Sequence, residues 1–108
     1  MSWILLACAG VLEIAFAFGM KWSAGFSRLW PSLFAVLTGL SSIMLLTLSL
    51  RALPVGTAYA VWTGIGAAGT AVLGMALLGE PASPARIGCV ALILCGVIGL
   101  KLASAGVS

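Results

Sequence analysis

Glu13 stands inside the apolar run Trp3 to Met20, in a chain of 108 residues whose only other acid is Glu80. A charge at the centre of a bilayer costs from about 3 to more than 10 kcal/mol, so an ionisable group persists there where it acts on a proton, an ion or a substrate. A carboxyl in such a place suits one chemistry well. It holds a proton or a cation, and each expels the other. Two such carboxyls in one low-dielectric cavity cannot both ionise cheaply and titrate as a coupled unit. A cation entering between them displaces protons, and proton rebinding ejects the cation, which is the working cycle of an antiporter. The structural alternative is a neutral, hydrogen-bonded Glu13 that only joins helices.

Residues three and four apart share a helix face, which puts Glu13 with Ala9, Gly10, Phe16, Ala17 and Met20. Small residues beside an acid let another backbone approach and leave room for a ligand. A second constellation lies in the run Gly56-Thr57-Ala58-Tyr59-Ala60-Val61-Trp62-Thr63-Gly64-Ile65-Gly66. Tyr59 and Trp62, three apart, point the same way. Their ring faces attract a cation through the aromatic quadrupole, and the phenol is able to donate to Glu13. Simple packing or interfacial anchoring is the competing use of these aromatics.

Other chemistries lack their groups. The chain has no His and two acids, too few ligands for a metal site. Cys8, Cys89 and Cys95 are odd in number, lack C-x-x-C spacing and fall in apolar runs, where they are expected to pack as small apolar residues. A general acid or base needs a second catalytic group, and none accompanies Glu13 at depth, so no catalytic residue, metal or cofactor is expected. The net charge of +3 comes from five basic residues spread over helix ends, which argues against nucleic acid as a partner.

The elements that must position Glu13 follow from composition. With 63% hydrophobic and 6% charged residues and a mean hydropathy of +1.29, the chain cannot present a solvated exterior. A crossing needs about 20 apolar residues. The expected organisation is a single four-helix transmembrane domain over residues 1–108, an all-α integral membrane protein with spans near 3–20, 30–50, 55–78 and 87–103. Lys21 to Arg28, Arg51 to Pro54 and Gly79 to Arg86 supply the polar and turn-forming connections, with Pro31 suited to a first helical turn. Trp3, Trp22 and Trp30 sit where indoles anchor at a membrane interface. The first run lacks a basic leader and a clean A-x-A site and is expected to be a mature helix rather than a secretion signal.

Orientation is nearly undecided by charge. With the N-terminus inside, Arg51 and Lys101 lie inside and Lys21, Arg28 and Arg86 outside. Either both insertions occur, so that two opposed copies reproduce with separate chains the inverted repeat of larger transporters, or an unseen feature fixes one. A lone chain offers one carboxyl and little volume, so association of two chains is close to a requirement. The third run is rich in glycine (Gly64, Gly66, Gly69, Gly74), for bending or for packing alike. Gly88, Ala91 or Leu92, Cys95 and Gly99 form a small-residue ridge on the fourth, the expected dimer seam.

Glu13, Lys21, Gly25-Phe26-Ser27-Arg28, Pro31, the stretch Leu53 to Gly66, Glu80 and the ending Gly99-Leu100-Lys101 together resemble the small multidrug resistance family over essentially the whole chain. Thr63-Gly64-Ile65-Gly66 and Lys101 are most similar to its guanidinium-exporter subtype. The resemblance implies an antiparallel, dual-topology homodimer in the plasma membrane that exchanges protons for guanidinium-like cations. It also implies that Glu13 binds proton and substrate alternately, that Ser42 hydrogen-bonds Glu13, and that Tyr59 and Trp62 line the substrate pocket. One position departs: the subtype usually carries Trp where this chain has Phe16, which keeps the ring and loses the N–H. That change motivates the alternative substrate class of quaternary ammonium or other hydrophobic cationic compounds.

Overall fold

The computed structural model describes residues 2–104, which form four helices: α1 (Ser2–Trp22), α2 (Leu29–Ser49), α3 (Val55–Leu77) and α4 (Pro84–Ser104). Each is long and apolar enough to cross a membrane. At 1.5 Å rise per residue, 21 to 23 residues give roughly 31–35 Å, enough for a hydrocarbon core of about 30 Å. α4 begins at Pro84, earlier than the apolar run suggests. The reason is local: the Ser83 hydroxyl accepts the Arg86 backbone N–H at 3.3 Å, and Pro84 takes the first helical position, where no N–H is needed.

The α1–α2 connection is a tight left-handed turn. Ala24, Gly25 and Phe26 have φ of 51°, 77° and 65°, a region that only Gly adopts without penalty. Ser23, fully buried, braces it: its hydroxyl donates to the Met20 carbonyl at 2.7 Å and accepts the Phe26 N–H at 2.9 Å.

α1 is the central element, flanked by α2 and α3, while α4 packs on α3 alone apart from long side chains. One of these is Lys101, whose ammonium lies 5.3 Å from the centre of the Trp3 ring, a cation–π contact between α4 and α1. The chain is a slab of 45 × 34 × 17 Å. Its buried core, Leu6, Ala9, Leu46, Leu53, Ala58 and Val61, gathers toward the α2–α3 turn. Nearer Glu13 the helices meet through glycine instead. A Cβ on Gly10 would lie 2.5 Å from Ile65, and one on Gly69 would collide with Ile14. α3 is continuous, and Gly64, Gly66, Gly69 and Gly74 each stand against a side chain from outside α3. Cys8, Cys89 and Cys95 are free and exposed on the outside of the chain, not packed within it.

Candidate cation site at Glu13

Glu13 leaves α1 at the level of Gly66 on α3. A Cβ at Gly66 would stand 2.7 Å from Glu13 Cγ, so the carboxyl stem rests where any other side chain would be. Half-buried, Glu13 forms part of the wall of two depressions. The larger is an open groove of ≈ 590 Å³ that also borders Tyr59, Trp62, Thr63, Thr70, Glu80 and Arg86. The smaller, ≈ 290 Å³, is lined by Phe16, Val36, Gly39, Leu40 and Ile43, with Trp62 shared between the two.

Tyr59 and Trp62 lie as their three-residue spacing predicts, with ring centroids 5.5 Å apart and planes tilted by 50°. Tyr59 is 57% exposed in the single chain. Phe16 takes a different position. It packs over Gly39, where an added Cβ would lie 2.9 Å from its ring, and faces the smaller depression rather than the groove.

Ser42 is fully buried and works differently from the direct bond to Glu13 implied by family resemblance. Its single hydroxyl proton is donated to the Ala9 carbonyl at 2.6 Å, and its oxygen accepts the Trp62 indole N–H at 2.8 Å. One hydroxyl therefore ties α1, α2 and α3 together one turn from Glu13. It also fixes the indole so that Trp62 offers the groove a ring face, its N–H being spent.

The groove contains residues that the sequence reading did not select. Thr63, Ala67, Thr70 and Ala71 continue the face of Tyr59, Trp62 and Gly66 along α3 at helical spacing, a signal that was available. Glu80 and Arg86 come from the α3–α4 connection and the first turn of α4, paired at 3.1 Å. Both acids of the chain thus border one groove. The arrangement offers anionic oxygen, aromatic faces and hydroxyls to a small cation. Among the described residues no three His, Cys, Asp or Glu side chains gather as metal ligands would.

Residues 1–93 match the profile of a family described as Small Multidrug Resistance protein. A guanidinium exporter of Yersinia pseudotuberculosis is 59% identical over 104 residues, 96% of this chain and 100% of that protein. A guanidinium exporter of Escherichia coli K12 is 55% identical over 104 residues, 96% of this chain and 99% of its own. Four membrane-crossing helices, a profile match over most of the length and relatives this similar from end to end establish that the chain belongs to the small multidrug resistance family, as a multi-pass protein of the cell membrane.

Proposed function

We propose that this chain is a proton-coupled antiporter that exports guanidinium or related small organic cations. The observation that carries the reading is Glu13 resting on Gly66 beside the tilted Tyr59–Trp62 pair, in a chain 55–59% identical to proteins named guanidinium exporter. Guanidinium is planar, with N–H donors in a fork that matches a carboxylate and a flat face that stacks on aromatic rings. Glu13 supplies the oxygens, and Trp62, its N–H held by Ser42, supplies a face. Proton and cation compete for the same oxygens, so binding one releases the other, and transport of the cation is paid in protons.

The working unit is an antiparallel, dual-topology homodimer. A slab 17 Å thick has little interior of its own, and two copies place two Glu13 carboxyls at one cavity. The near-balanced split of basic residues, two against three, permits both insertions, and the ridge on α4 is the seam. No enzymatic step is part of this reading: Glu13 exchanges ligands and forms no bond to them.

A second reading, export of quaternary ammonium or other hydrophobic cationic drugs and antiseptics, draws on Phe16. Its ring and the apolar walls of the ≈ 290 Å³ depression leave space beside Glu13 for alkyl substituents. Proton-coupled uptake into liposomes across a cation panel tests both readings, with Glu13→Gln beside the native chain. Guanidinium currents that vanish in Glu13→Gln are expected, and normal transport by that variant defeats the antiport mechanism. Strong guanidinium currents with no tetraalkylammonium response defeat the second reading.

A further inference from the structure

The chain's two acids lie along the same face of α3, each against a glycine. Glu13 rests on Gly66, and Glu80 rests on Gly74, where an added Cβ would stand 2.5 Å from Glu80 Oε1. Eight residues of helix separate the two glycines, about 12 Å along the axis, and Thr70 and Ala71 line the groove between them. The approach of Glu80 is built into the backbone. Gly79 turns left-handed with φ 68°, and the Glu80 N–H then returns to the Gly74 carbonyl at 3.3 Å.

The partner of Glu80 is itself a guanidinium. Arg86 Nη2 donates to Glu80 Oε1 at 3.1 Å, using one of the five N–H donors an arginine carries. Glu80 Oε2 accepts no hydrogen bond among the described residues. Arg86 gains nothing from its helix, since a cation in the first turn of α4 faces the positive end of the helix dipole. Both side chains are a little over one-third exposed, 38% and 37%, so water and a small solute reach the pair.

Resting on the guanidinium-export reading of Glu13, we propose that Glu80 is an outer cation site of the groove, and that Arg86 is its tethered occupant, displaced by a guanidinium on its way to or from Glu13. Arg86 fills the outer site when cargo is absent. Cargo of the same chemical shape exchanges with it on the open oxygen and passes along the Thr63–Thr70 face. Glu80 and Arg86 thereby set the concentration at which cargo loads, while Glu13 alone exchanges it for protons.

The test compares guanidinium-driven, proton-coupled currents in proteoliposomes for the native chain, Glu80→Gln and Arg86→Gln. Both substitutions break the same ion pair, so a merely structural bridge moves them in the same direction. An outer site moves them oppositely. Glu80→Gln raises KM about three- to fivefold with maximal current kept, the size expected for one solvent-exposed charge contact, and Arg86→Gln lowers KM by a similar factor. Glu80→Asp, which keeps the charge on a shorter stem, lies between native and Glu80→Gln and serves if Glu80→Gln does not fold. KM values that stay fixed or shift together overturn the outer site and leave the Glu13 reading standing. Absence of guanidinium current in the native chain, beside currents with another cation, overturns the guanidinium reading and this proposal with it.

Discussion

The glycines of α3 and those of α4 look alike in the sequence and face different surroundings. On α3, Gly64, Gly66, Gly69 and Gly74 each stand against a side chain of the same chain: Val97, Glu13, Ile14 and Glu80. On α4, Gly88, Gly96 and Gly99 have nothing within 4 Å, and Leu92 and Leu102 beside them are 72% and 71% exposed. Small residues in membrane helices permit close approach of another backbone or side chain. From Gly64 to Gly74, α3 turns its glycines to the inside of the chain, where Gly66 and Gly74 seat the two acids, whereas Gly56 at its start is open and α4 keeps its glycines facing outward. The contrast separates positions that shape the candidate site from positions left free for the proposed dimer seam.

The largest expected break is on the α3 side. Gly66→Val drives a branched side chain into the space of Glu13 Cγ, and overpacking of this kind costs about 1–3 kcal/mol. Guanidinium current should fall to background and thermal stability in detergent should drop. Unchanged current would show that Glu13 does not depend on its seat.

Ser42→Ala probes the other support of the site. It leaves the Trp62 N–H without its acceptor and removes a donor from the Ala9 carbonyl, at a cost of about 1–3 kcal/mol. A lower melting temperature and a shifted tryptophan emission are the expected readouts. If Ser42 served mainly by holding Glu13 directly, transport would suffer while emission stayed native.

On the α4 side the same kind of substitution should leave the single chain intact. A Cβ at Gly99 meets no neighbour within the chain, so helix content of Gly99→Leu measured by circular dichroism should stay native. Cross-linking or light scattering in detergent should nevertheless report loss of the dimer. A dimer that survives bulky residues at Gly88, Cys95 and Gly99 together would move the seam elsewhere.

The smallest expected effect refines specificity. Phe16→Trp restores an indole N–H beside Glu13, and one hydrogen bond of about 1 kcal/mol would shift preference toward guanidinium over tetraalkylammonium by about fivefold. Competition between the two cations for uptake measures it.

Much of this architecture was legible in the chain itself. Four apolar runs of bilayer length can only be helices, because unpaired backbone is not tolerated in lipid, and an acid within one of them marks the candidate site. Tyr59 and Trp62 were placed together by helical spacing alone. The sequence was silent where the fold brings together residues distant along the chain. Ser42 was legible only through resemblance, and its bond to Ala9 depends on how α2 packs on α1. Glu80 read as a loop acid, since its place in the groove comes from the left-handed turn at Gly79 and from a helix that starts at Pro84. That the cysteines face outward from the single chain was hidden for a related reason: apolar surroundings in sequence do not say whether a side chain meets its own chain, a second copy or lipid.

Exchange of proton for cation at Glu13 is tested most directly by calorimetric titration of guanidinium into the purified protein across a pH series, with Glu13→Gln as the control. If the cation displaces a proton from that carboxyl, affinity rises with pH through its titration, by about tenfold per unit for each proton released, and levels off once the carboxyl is ionised. Glu13→Gln should bind weakly at every pH. Equal affinity from acid to alkaline solution, or native-like binding by Glu13→Gln, would contradict antiport at this residue.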